Sequence, residues 1–172
     1  MEISFTESTR PTVQGVKAVG EYYSFSNREI AHAIKDGDPA AIRPAAKAMS
    51  QLLTRSEHRL LIPVPSHVGK ATYTLRLAEA IAKAGCGYVY NVLRCPERET
   101  LYTCKQRGER ITPDELGFYL QSPVPENWEI VFIDNVVATV GNQNGQFAQI
   151  VLPWCRIGFR QHAAAVAENG QR

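Results

Sequence analysis

The stretch IVFIDNVVATVGN, residues 130–142, decides how this chain is read. Ile130 to Ile133 are apolar and β-prone, the composition of a buried strand, and Asp134 stands at its carboxyl end. A turn rich in small residues follows, and QFAQIVLPW, residues 146–154, is read as a helix. In open parallel sheets, ligands bind where strands end. Backbone amides at a helix start lack partners and carry the positive end of the helix dipole, so they hold anions. An acid beside such a turn accepts hydrogen bonds from two sugar hydroxyls. A ribose 5-phosphate therefore fits, with its hydroxyls on Asp134 and its phosphate in the turn.

Upstream, RLLIPV (residues 59–64) is a compact apolar run read as a second buried strand, broken by Pro63 and Pro65. SHVGKAT is a small polar turn, and YTLRLAEAIAKAG repeats apolar residues at helical spacing until Gly85 stops it. GYVYNVL is the next strand. Residues 95–127 form a long, charged, proline-punctuated connection, and connections of that length usually carry function. Towards the amino terminus, GVKAVGEYYSF reads as one or two short strands. Ser26 and Glu29 form a capping box opening a helix to about Lys35. Asp36-Gly37 ends that helix, and Asp38 with Pro39 starts another, with Pro44 expected to delay or kink it. Ala163 to Ala167 are read as a last strand. This alternation predicts an α/β fold, an open and mostly parallel sheet flanked by helices. One domain covers residues 1–172, with 1–55 as amino-terminal strands and helices contributing to a hood and 56–172 as the core.

Composition narrows the function classes. The net charge of +2 gives no argument for nucleic acid or an anionic membrane surface. No apolar run approaches the roughly 18 residues that span a bilayer. The opening MEISFTESTRPT carries no visible secretory signal. Cys86, Cys95, Cys104 and Cys155 form no Cys-x-x-Cys pair, so reduced thiols and a cytoplasmic location are expected. A Gly-x-Ser-x-Gly elbow, a P-loop and a Gly-x-Gly-x-x-Gly turn are all missing from the sequence.

Three segments, in order, resemble type I phosphoribosyltransferases, and most closely the ComF-like transferase domain without its amino-terminal zinc cluster. IVFIDNVVATVGN resembles the ribose-phosphate signature. Asp134 matches its first acid, while Asn135 replaces the second. Ala138 and Thr139 stand at the two threonines, Val140 at the glycine, Gly141 at the free position and Asn142 at the last hydroxyl residue. RLLIPVPSHVGKATYTLRLAEAIAKA resembles the strand, pyrophosphate loop and helix, with Ser66, His67, Val68, Gly69 and Lys70 as the loop. LRCPERETLYTCKQRGER resembles the flexible loop that closes over substrate, here carrying Arg94, Arg98, Lys105 and Arg107.

The resemblance implies transfer of ribose 5-phosphate from phosphoribosyl pyrophosphate to an unidentified nitrogenous base. Asp134, Lys105 and Arg107 would act at the reacting centre. Magnesium would arrive with the substrate and have no direct protein ligand. His67 is a candidate ligand contact and Tyr102 a candidate to stack on a base. A homodimer is left open. A second reading is a fold relative that binds nucleotide or phosphoribosyl pyrophosphate as a sensor or competence partner without catalysis. A third is an unrelated α/β esterase or interaction module. On the transferase reading, residues 94–116 should be mobile without ligand, and Asn135→Asp should strengthen binding by restoring the paired acids.

Overall fold

The two apolar runs lie side by side. The computed structural model describes residues 16–21, 25–109, 115–137 and 146–151. In chain order its elements are β1 (Val16–Glu21), α1 (Phe25–Lys35), α2 (Pro39–Gln51), β2 (Arg59–Pro63), α3 (Tyr73–Lys83), β3 (Tyr88–Val89), β4 (Leu93–Arg94), α4 (Leu101–Gln106), β5 (Tyr119–Leu120), β6 (Glu129–Val137) and β7 (Gln146–Val151). β2 runs parallel to β6, with Leu61 opposite Val131 and Pro63 opposite Ile133, and parallel to β3 on its other side. All five residues of β2 are buried, as a strand covered on both faces requires.

The rest of the sheet differs from the mostly parallel arrangement expected. Its order is β1-β7-β6-β2-β3, and both β6–β7 and β7–β1 are antiparallel. The sheet is therefore mixed, a three-strand parallel part extended by two antiparallel strands. The segment read as a helix after the Asp134 turn is β7, a strand returning along β6 with Ile150 opposite Ile133. Its Phe, Ile and Val suit either state. The open edge of β6 supplies a row of backbone partners that a helix could not use, and this tertiary demand overrides local preference. The last expected strand, Ala163 to Ala167, lies outside the described residues.

Alternation along the strands sorts the core into two layers. Leu61, Val131 and Ile133 face a cluster built with Ile34 of α1, Met49 of α2 and Leu77, Ala78 and Ile81 of α3. Ile62 faces the other way, with Ile130 and Phe132, onto Val92, Leu93, Phe118 and Leu120 around the β4–β5 ribbon. The three longer helices thus share one sheet face and the short ribbon covers the other.

Local signals account for the helix ends. Gly37, at φ 81°, closes α1 with its N–H on the Ile34 carbonyl, and the Asp38 N–H donates to the Ala33 carbonyl. Asp38 then caps α2 by accepting the Ala40 N–H at 2.8 Å, with Pro39 in the first turn. α2 starts at Pro39 and runs through Pro44, so of the two effects expected of that proline the delayed start does not occur. α1 begins at Phe25, so Ser26 lies within its first turn instead of capping it.

At the amino edge of the sheet, buried Arg59 donates to Glu129 and to the Thr54 and Cys86 carbonyls, a structural tie far from the strand ends discussed below. Cys86, Cys95 and Cys104 are free and buried. Among the described residues no helix is long and apolar enough to cross a membrane.

Candidate functional site

β2 leaves the sheet before β6 ends, and that offset creates the site. The Val64 N–H still donates to the Ile133 carbonyl at 2.9 Å. Beyond it, the Thr74 hydroxyl takes the Val64 carbonyl at 2.6 Å, so the ladder stops. The Asn135 N–H, on the side β2 has vacated, is accepted by Asp134 Oδ1 at 2.7 Å. Asp134 is partly buried at this edge. Burial pushes its carboxyl up to about 6, opposed by the amides of Asn135 and Val136 and by the charge of Lys35. Tyr73, at the start of α3, is pushed up to about 12, first by burial and then by the negative charge of Asp134, with Arg98 opposing. Tyr73 thus feels both Asp134 and Arg98, and Asp134 feels Lys35, at one end of the sheet.

The Ser66 to Lys70 turn follows β2 to this same edge. Its ends are closed by the Ser66 N–H on the Lys70 carbonyl and the Gly69 N–H on the Ser66 carbonyl, both at 3.1 Å. The Ser66 hydroxyl adds a bond to the Lys70 carbonyl at 3.3 Å. Two of the amides expected to hold a diphosphate are therefore used inside the turn. Its outward carbonyls tie it to the next segment: His67 accepts the Arg98 N–H at 2.9 Å, Gly69 accepts the Cys95 N–H at 3.2 Å, and Ser66 accepts the Cys95 thiol at 3.5 Å. His67, Val68 and Lys70 remain exposed.

Gly69 sits at φ 81°, and a Cβ there would lie 2.8 Å from the Cys95 carbonyl oxygen. Gly69→Ala is expected to lower stability by about 1–2 kcal/mol through strain at positive φ and loss of this docking. The check is thermal melting together with amide exchange at Cys95 and Arg98. Unchanged protection at those two amides would show that the tie does not depend on the glycine.

The segment expected to be a mobile loop, residues 94–116, instead contains β4 and α4 among its described residues. Thr100 caps α4 by accepting the Thr103 N–H at 3.1 Å, and Cys104 is buried beneath it. These local bonds order a stretch whose charge suggested a loop. Arg94 is occupied by Asn91 Oδ1 at 3.0 Å and its neighbour's carbonyl. Arg107 is held on the surface by Glu99 and Glu109, and its guanidinium pulls both carboxyls below their ordinary range, so its charge is more than matched there. Lys105 is exposed on α4, and Tyr102 is 71% exposed with its oxygen accepting from Gln106. Arg98 differs from these cations. It is partly buried, and its Nε has no hydrogen-bond partner among the described residues.

Asn135 is placed differently from the expectation. It is 2% exposed and its amide donates to the Ala31 carbonyl of α1 at 3.4 Å. Consecutive strand residues point to opposite faces, so Asp134 and Asn135 do not present their side chains to one ligand. The remaining expected ribose-phosphate residues, Ala138, Thr139, Val140, Gly141 and Asn142, lie outside the described residues, as does any anion they would hold. Tyr73 and Lys35 were not read as site residues. Tyr73 had a signal, being the first helical residue after the polar turn. Lys35 had none, because it reaches the site only through the packing of α1 on the sheet.

Among the described residues no three His, Cys, Asp or Glu side chains gather as a metal cluster. No protein-family model matches the chain, and no curated protein or solved structure matches it.

Proposed function

We propose that the chain binds phosphoribosyl pyrophosphate at the carboxyl edge of β2 and β6 and transfers ribose 5-phosphate to a nitrogenous base. One observation carries the reading: the Ser66 to Lys70 turn, the Arg98 segment tied to it and Asp134 converge on that edge from three separate parts of the sequence. Asp134 would accept the ribose hydroxyls. Exposed Lys70 and the guanidinium of Arg98, whose buried Nε has no hydrogen-bond partner among the described residues, would serve the diphosphate, whose departure leaves positive charge on the sugar ring. The protein's work would be positioning and electrostatics. A partly buried acid raised towards neutrality is costly to keep, and such costs concentrate at functional sites.

Binding without transfer is the second reading, favoured by Asn135 being turned into the core, which leaves one acid where the transferase signature has two. The experiment is calorimetric titration with phosphoribosyl pyrophosphate, with and without magnesium, beside a pyrophosphate-release assay over a panel of bases. Binding with release supports transfer, and binding with no release for any base supports the sensor. Absence of binding removes both. Affinity is expected to fall as pH drops below about 6, because Asp134 must be ionised to accept both hydroxyls. A flat profile between pH 5 and 8 would take Asp134 out of the ligand site.

A further inference from the structure

The amino edge of the sheet, at the other end of the strands, carries three aromatic rings in contact. Leu60 of β2 pairs with Tyr88 of β3 on one side and with Ile130 of β6 on the other. His58 and Trp128 stand two residues before Leu60 and Ile130, and the Glu129 N–H still donates to the His58 carbonyl at 2.9 Å. Alternation therefore puts His58, Tyr88 and Trp128 on one face, the face of Ile62 and Phe132. The Trp128 ring lies 5.5 Å from that of His58 at 60° and 6.0 Å from that of Tyr88 at 73°. The planes cross, so Trp128 is stacked face to face on neither. An edge-to-face contact occupies at most one face of Tyr88, and with that residue 55% exposed the other face is open to water.

Carboxylates flank these rings in the chain. Glu57 adjoins His58, and Glu126 lies two residues before Trp128. Both are exposed, and neither has an ion-pair partner among the described residues, whereas Glu129 is taken by Arg59. Ring faces beside unpaired negative charge attract a cation. Among cations, a guanidinium is flat, weakly hydrated over its faces and rimmed with N–H donors, so it stacks on a ring while its edge reaches carboxylates. An ammonium has no face to stack. We propose that His58, Tyr88 and Trp128 form a docking site for an arginine side chain of a partner polypeptide, with the guanidinium on the open face of Tyr88 and its edge towards Glu57 and Glu126. The site stands apart from the phosphoribosyl reading, which concerns the opposite end of the same strands.

The test is an NMR titration of the full labelled chain with capped peptides that alternate glycine with arginine, lysine or citrulline, the last an uncharged counterpart of arginine. The arginine peptide should shift the indole N–H of Trp128 and the amides of Tyr88 and Glu129. It should bind about threefold or more tightly than the lysine and citrulline peptides, which lack the flat cation. Tyr88→Ala should weaken it about twofold to fivefold, the usual effect of removing an exposed cation–π contact. Tyr88 sits in the edge strand, so Tyr88→Leu serves as a second variant that keeps an apolar side chain without the ring, and the same weakening is expected. Glu57→Gln with Glu126→Gln should weaken the arginine peptide and leave the citrulline peptide unchanged. The proposal is overturned if the arginine peptide leaves these resonances in place, the result expected of rings that only cap the strand starts. It is also overturned if the lysine or citrulline peptide binds as tightly, or if the folded Tyr88 variants bind as wild type does.

Discussion

Asn135→Asp is expected to destabilise the fold by about 2–4 kcal/mol at pH 7 instead of improving a ligand site. Asn135 is 2% exposed, and its amide donates to the Ala31 carbonyl. A carboxylate there would set negative charge against a carbonyl oxygen, away from water and next to Asp134. The new acid would respond by protonating, since the neutral form can donate to Ala31. Its folded pKa would then stand above its unfolded one. Unfolding free energy should accordingly approach the wild-type value in acid and fall away as pH rises through the raised pKa. Urea melts of both proteins at pH 4.5 and pH 7 check this. A variant as stable as wild type at pH 7, with tighter phosphoribosyl pyrophosphate binding, would mean that residue 135 does face the ligand.

Asp134→Asn should act in opposite directions on stability and binding. The carboxyl is raised from its ordinary 3.8 to about 6, so the folded state prefers it neutral. That preference contributes stability at low pH, which is lost as pH rises through about 6. The difference between 3.8 and about 6 corresponds to about 3 kcal/mol at most. With the partial exposure of Asp134, about 1–2 kcal/mol is the expected gain for the variant at pH 7, or a melting rise of about 2–8 °C. The gain should vanish below about pH 3, where the wild-type acid is protonated in both states. The same change removes the ionised acceptor for the ribose hydroxyls. Charge-assisted hydrogen bonds contribute about 1.5–3 kcal/mol, so affinity should fall roughly tenfold to hundredfold. Equal affinities would show that Asp134 does not touch ribose. A lower melting point at pH 7 would show that its charge is compensated in the fold.

The parts of this molecule legible in the sequence are those whose signal is local. Arg59 to Pro63 and Ile130 to Ile133 are apolar runs too short and too β-prone for helices, and they form the parallel centre of the sheet. Asp36-Gly37-Asp38-Pro39 encodes a helix stop and a helix start in four residues, and both occur where expected. Of the helical spacing read over Leu75, Ala78, Ile81 and Ala82, Ala78 and Ile81 lie on the buried face of α3, which Thr74 and Leu77 complete. Asp134, expected to end its strand, lies inside β6, which continues to Val137 paired with β7; it marks where β2 leaves off, not where β6 ends.

The parts that sequence could not supply depend on what else is nearby. Residues 146–151 carry β-prone side chains that suit a helix face equally well, and only the unpaired edge of β6 makes them a strand. Residues 100–106 look like charged loop, yet a threonine cap and one buried cysteine suffice to fold a short helix. Lys35, Tyr73, Arg98 and Asp134 span 100 positions of chain and share an electrostatic neighbourhood because α1 and α3 pack on one face of the sheet. Sequence by itself determined the two apolar strands at the parallel centre, the stop of α1 and the start of α2, since each is set by side chains within a few residues. Tertiary structure alone decided the mixed sheet, the side of β6 on which Asn135 lies and the grouping of charges around Asp134. Those depend on strand register and burial, which are properties of the packed whole.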